Sequence, residues 1–204
     1  MENRIVMHSI MTDIDDIKEI REITGAGISE VRIALIEAKG DKERALKILA
    51  LALGARGSKK SERTTKEGIV DCYIHSDRKI GVLIEINCET DFVARNVEFQ
   101  SFVHDIAMHT AAMDPLYVSR EDIPEDIVGA ERRFIEEEVS TMQKPKKVIE
   151  QIMAGKLESH FKDITLLDQP FVKNPDKTIT EVVQEAAGKF GENIKISRFV
   201  RFAL

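Results

Sequence analysis

The chain has 204 residues, 43% hydrophobic and 32% charged, with 30 Lys and Arg against 36 Asp and Glu and a net charge of -6. That length and balance suit one good core plus a small satellite domain and exclude general disorder. The acidic balance also argues against direct nucleic-acid binding, which draws on a basic field to release counterions from phosphates.

No apolar run approaches the roughly 20 residues that a bilayer crossing needs. The opening MENRIVMHSIM lacks the basic start and continuous apolar core of an export signal. Residues 1–11 therefore read as an N-terminal extension of a cytoplasmic protein with no membrane association. From Thr12 to Gly54 three short helices are expected, over Asp13 to Thr24, Ser29 to Lys39 and Asp41 to Leu53. Gly25-Ala26-Gly27 breaks the first from the second, Gly40 supplies a left-handed C-terminal position, and Asp41 caps the third. Each carries one apolar stripe: Ile14, Ile17 and Ile20; Val31, Ala34, Leu35 and Ala38; Ala45, Leu46, Leu49 and Leu53.

Over residues 55–66 the pattern is lost, and Arg56, Lys59, Lys60, Arg63 and Lys66 cluster among Gly and Ser as a basic linker. A second domain, residues 67–204, follows. Ile69 to His75 and Ile80 to Cys88 make a hairpin around Ser76-Asp77-Arg78-Lys79; Ile80, Val82, Ile84, Ile86 and Cys88 share one face at period two. A tight turn there sets Cys72 opposite Leu83 and not opposite Cys88, so the two cysteines read as reduced thiols. A helix is expected from about Asp91 to Met113, with Thr90 or Asp91 as its N-cap and Phe92, Phe99, Val103, Ile106 and Thr110 recurring near helical spacing.

Pro124 to Met142 and Lys146 to Ile164 read as an antiparallel helical hairpin around Gln143-Lys144-Pro145. In it Ile127, Phe134, Ile135, Val139 and Met142 face Val148, Ile149, Ile152, Met153, Phe161 and Ile164. A helix over Thr178 to Lys189 and a last strand complete the chain, the strand setting Ile194, Ile196, Arg198, Val200 and Phe202 on one face. The fold class is α+β: a three-helix unit, then a small antiparallel sheet packed with helices and a helical hairpin.

Sites of covalent chemistry are not apparent. Gly25-Ala26-Gly27 follows a helix, and Gly54-Ala55-Arg56-Gly57-Ser58-Lys59-Lys60-Ser61 has the wrong spacing for a phosphate loop. His104 and His109 lie five apart on one helix, on different faces, so no metal site and no cofactor are expected. Cys88 with His75 on the neighbouring strand has the residue types of a nucleophilic pair, but Cys88 continues the apolar face as a core thiol. Phe92 keeps two readings. It is either the first core residue of its helix or an apolar wedge presented to a partner from a strand-to-helix junction.

Three stretches then resemble one family. They are Ile20-Arg21-Glu22-Ile23-Thr24-Gly25-Ala26-Gly27 with Ala34-Leu35 and Ala38-Lys39-Gly40-Asp41; Asn87-Cys88-Glu89-Thr90-Asp91-Phe92-Val93-Ala94-Arg95-Asn96; and Leu166-Leu167-Asp168-Gln169-Pro170-Phe171-Val172. All resemble elongation factor Ts. The resemblance implies no enzyme but a guanine nucleotide exchange factor of translation, promoting GDP release from elongation factor Tu. It implies a ubiquitin-associated-like domain over 12–54 that anchors on the GTPase domain through Arg21, Gly25, Ala26, Gly27, Ile28 and Arg32. It also implies an exchange motif, Thr90, Asp91, Phe92, Val93 and Ala94, whose Asp-Phe pair intrudes near switch II and the magnesium site. After the glycines, Ser29 and Ile33 depart from the family's usual run. A single copy of the motif resembles the short form, in which two chains pair as a homodimer. Without the resemblance, the basic linker and the small helical unit suggest an RNA- or ribosome-associated binding protein as the alternative.

Overall fold

The computed structural model describes residues 13–142 and 144–204. The expected extension over residues 1–11, and Gln143 in the helical-hairpin turn, lie outside them. In chain order the elements begin α1 (Ile14–Thr24), α2 (Ile28–Glu37), α3 (Lys42–Ser58), β1 (Glu67–Ile74), β2 (Ile80–Cys88), α4 (Asp91–Ala94) and α5 (Val97–Met113). They continue α6 (Glu125–Ser140), α7 (Lys146–Ile164), β3 (Pro170–Phe171), β4 (Asn174–Thr178), α8 (Ile179–Phe190) and β5 (Lys195–Ala203). The fold is α+β, and none of these helices is long and apolar enough to cross a membrane. The described residues fall into two compact units: 13–64 with Val183–Ile194, and Thr65–Val182 with Lys195–Leu204.

In the first unit local chemistry sets the helix ends. Asp13 accepts from the Asp15 N–H at 3.1 Å and Asp41 from the Arg44 N–H at 3.1 Å, each satisfying an N-terminal donor that has no partner within its helix. Gly25, at φ 67°, ends α1 by donating to the Arg21 carbonyl at 2.8 Å. Ile20, Val31, Ala34, Leu35, Ala38, Ala45 and Leu49 form the core.

The basic segment differs from expectation, because α3 runs through Ala55, Arg56 and Gly57 to Ser58. Gly57 lies against the backbone of α8, where a Cβ would meet the Gln184 oxygen at 1.9 Å; on Gly188 a Cβ would meet the Leu53 oxygen at 2.2 Å. Only glycines allow that approach, and it involves residues about 130 positions away in the chain, beyond the reach of a local pattern. Asn193 then donates to the carbonyls of Ser61 and Arg63 at 3.1 and 2.6 Å.

The second unit is built on an antiparallel sheet in the order β1-β2-β5. The hairpin register is the expected one, with Cys72 paired to Leu83. Val82, Ile84, Ile86 and Cys88 are buried on the inner face, and Phe99, Val103, Ile106 and Ala107 of α5 supply the other half of this core. On β5 the expected single face is broken. The pairing shifts between Glu85 and Ile86, which oppose Arg198 and Ile196 and leave Ser197 as an extra residue. Ile194 and Ile196 stay inward, but beyond the bulge Phe199 and Arg201 take the inner side and Val200 and Phe202 turn outward. One inserted residue inverts every side chain after it.

The helical hairpin has the expected α7 bounds, but its seam is narrower than expected. Ile135 and Val139, one turn apart, are buried, whereas Phe134 is 64% exposed and Ile127 is exposed on the neighbouring stripe. Arg120 holds the base of this hairpin, donating to both carboxylate oxygens of Glu158 at 2.7 and 2.6 Å and pairing with Asp168. A β3–β4 hairpin that periodicity did not reveal follows.

Candidate functional site

Strand β2 delivers the chain to Thr90, whose extended backbone (φ -130°, ψ 156°) opens α4 without a side-chain cap. The expected continuous helix from Asp91 to Met113 is two helices. Asn96 accepts from the Glu98 N–H at 2.8 Å and starts α5 afresh at Val97. An Asn side chain competes with the helix for backbone donors, which explains a break inside an otherwise helical pattern. The result is a single turn, Asp91–Ala94, standing between strand and helix.

On this turn Phe92 is 83% exposed, while Ala94 is 7% exposed and Val93 is half-buried. Phe92 is therefore not the first core residue of the helix; Phe99, at 0%, is. Asp91 is paired with Arg95 at 3.2 Å across the turn. Below it, the Cys88 thiol is buried and donates to the Thr90 carbonyl at 3.2 Å, and the His75 ring nitrogen lies 3.2 Å from the Tyr73 hydroxyl. Cys88 and His75 thus each have another partner.

The second group of expected site residues lies in the first unit, around the α1–α2 turn. Arg21, Gly25, Gly27, Ile28 and Arg32 are exposed, but Ala26 is 3% exposed and part of the core cluster, so its methyl serves the fold. Glu30 shapes the turn by accepting the Gly27 N–H at 2.8 Å and pairing with Arg56. The backbone N–H first and the guanidinium second hold its carboxyl below the usual carboxylate range. Arg56, expected as a free linker charge, is thus engaged within the unit.

Two further features escaped the sequence reading. The outer side of α2 exposes Ile33 and Ile36 beside Ile28, which makes this helix apolar on two faces. Its signal was available as six apolar residues among ten, more than one stripe can use. Beside the Asp91–Ala94 turn, Val97 is exposed and Gln100 donates to the Ala94 carbonyl at 3.4 Å. The two histidines of α5 have unrelated roles. His104 pairs with Asp71 at 3.0 Å on the surface, whereas His109 is buried, 3.1 Å from Gln169 Oε1, and accepts the Val172 N–H at 3.2 Å. Among the described residues no group of three or more His, Cys, Asp and Glu is placed to hold a metal ion.

Compared with known proteins, residues 4–204 match the family model described as Elongation factor TS. The chain is 50% identical over 188 residues to Elongation factor Ts of Carboxydothermus hydrogenoformans, covering 92% of this chain and 87% of that protein. It is 48% identical over 192 residues to Elongation factor Ts of Acetivibrio thermocellus, covering 94% and 89%. To Elongation factor Ts of Pseudothermotoga lettingae it is 47% identical over 187 residues, covering 92% and 94%.

Proposed function

The chain belongs to the elongation factor Ts family and is a translation elongation factor; from that premise we propose that it is a guanine nucleotide exchange factor that promotes GDP release from elongation factor Tu. The observation that carries this reading is Phe92, an aromatic ring 83% exposed on a one-turn helix at the end of a buried strand. Such a ring has little to do for the fold and much to offer a partner. In this reading Asp91 and Phe92 enter the GTPase domain near switch II and the magnesium site, and Thr90, Val93 and Ala94 shape the turn that carries them. The work is done by binding, in the cytoplasm, with no covalent bond broken and no cofactor of its own.

Energetics require a second contact. A thousandfold acceleration of release corresponds to about 4 kcal/mol of preferential stabilisation of the releasing state, and burying one Phe supplies about 1.5 to 3 kcal/mol. The three-helix unit, read as a ubiquitin-associated-like domain, supplies the rest as an anchor through Arg21, Gly25, Gly27, Ile28 and Arg32. By linkage, GDP weakens the factor's hold on its partner by the same factor as the exchange factor weakens GDP.

The outer sheet face supports a homodimer. Val70, Cys72, Ile74, Leu83, Val200 and Phe202 are all exposed there, beside a hollow of about 550 Å³. An apolar face of this kind is covered at low cost by a second copy. Light scattering should give twice the chain mass, and Leu83→Glu should give a single chain. An RNA-binding reading draws little from the basic segment, because Arg56 pairs with Glu30 and Lys60 donates to the Gly191 carbonyl. The deciding experiment is release of labelled GDP from purified elongation factor Tu with and without this chain. An unchanged release rate would overturn the proposal.

A further inference from the structure

Resting on the exchange reading above, we infer that Cys88 and Gln100, both outside the five-residue exchange motif, are positioning residues that fix the direction in which Phe92 is presented. Helix α4 has four residues, and one turn of helix does not hold itself, because its few bonds do not offset the entropy of fixing the backbone. Its own ladder consists of the Ala94 N–H on the Thr90 carbonyl at 3.2 Å, the Arg95 N–H on the Asp91 carbonyl at 3.0 Å and the Asn96 N–H on the Val93 carbonyl at 3.0 Å. The Asp91–Arg95 pair adds little, since both side chains are well exposed to solvent.

Side chains from the two flanking elements bracket the turn. At its start the Cys88 thiol, buried at the end of β2, donates to the Thr90 carbonyl at 3.2 Å. At its end the Gln100 amide, from the first turn of α5, donates to the Ala94 carbonyl at 3.4 Å. Between these points the only nearly buried side chain of the turn is Ala94, while Phe92 is almost wholly in water. Packing of the ring cannot set the direction of Phe92, so the backbone beneath it must. Cysteine suits the first position because it continues the apolar inner face of β2 and still carries a weak donor.

A turn held at both ends needs no reordering when it docks, and this preorganisation acts in the releasing state more than in the initial encounter. Cys88→Ala and Gln100→Glu each remove one donor at nearly constant shape. We expect each to lower the maximal rate of labelled-GDP release from elongation factor Tu by about three- to tenfold. The concentration giving half the maximal effect should stay within about twofold, because the anchor is untouched. Cys88→Ser, which keeps a donor, should restore most of the rate. In a Phe92→Ala background the same substitutions should change the rate by less than about twofold, since positioning has no object once the ring is gone.

Wild-type rates in both single variants, or the same fold loss with and without Phe92, would overturn the inference while leaving the exchange reading intact. If Cys88→Ala folds poorly, Gln100→Glu, which alters a largely solvated side chain, carries the test through the same double-mutant comparison. No acceleration by the wild-type chain would overturn both readings together.

Discussion

Phe92 and Phe99 lie seven residues apart in one apparently helical stretch, yet one is 83% exposed and the other is at 0%. The separator is Asn96, which ends the turn carrying Phe92 and begins α5, the helix that buries Phe99 against the sheet. The same side chain thus contributes to stability in one place and is available for binding in the other. A rigid, buried helix next to a nearly unburied turn offers an apolar ring to a partner without loosening the core that supports it.

The largest expected effect tests the buried half. Phe99→Ala removes a fully buried aromatic and should cost about 3 to 5 kcal/mol in urea unfolding, with a sharp fall in melting temperature. A loss below about 1 kcal/mol would mean that α5 is not the main cover of the sheet. Next in size is the exposed half. Phe92→Ala should leave unfolding within about 1 kcal/mol of wild type and slow nucleotide release by about ten- to a hundredfold, or about 1.4 to 2.7 kcal/mol of lost preferential contact. A badly destabilised Phe92→Ala with normal exchange would reverse the comparison.

A smaller change addresses the separator itself. Asn96→Ala deletes the cap on the Glu98 N–H and should cost about 1 kcal/mol. It also lets α4 and α5 merge, which redirects Phe92. Exchange should therefore fall more than stability does, and equal falls in both would show that the break has no role beyond capping.

Much of this arrangement was legible in the sequence wherever local chemistry decides it. Asp13, Gly25 and Asp41 marked helix ends, strict alternation gave β2 its bounds, and the tight turn placed Cys72 across from Leu83. What was not legible depends on distant partners or on single competing side chains. The Ser197 bulge that inverts β5 answers to β2, more than a hundred residues earlier, and the extension of α3 answers to α8. At the site, periodicity could not choose between core and wedge for Phe92, since a first-turn residue can face either way. The motif that carries the resemblance named the turn, but its isolation by Asn96 and its bracketing by Cys88 and Gln100 appear only in three dimensions.

The smallest effect near neutral pH belongs to the far half of α5 and sharpens the contrast with the solvated turn. His109 is fully buried, with the Phe171 ring tilted against it at 5.9 Å between centroids and Gln169 Oε1 at 3.1 Å, and its Nδ1 accepts the Val172 N–H, so the ring is neutral with its proton on Nε2. Burial pushes its pKa below the usual 6.5, only partly opposed by the Gln169 bond. With the folded value below the unfolded one, the unfolded chain binds more protons beneath pH 6.5, and stability falls there as pH falls. Protonation would also replace the acceptor of the Val172 N–H with a donor. Urea midpoints measured at pH 7.5, 6.5 and 5.5 should therefore decline toward acid, and His109→Gln, which cannot titrate, should flatten that decline whatever it does to the midpoint at pH 7.5. Equal acid slopes in the two proteins would show that His109 is not the group responsible.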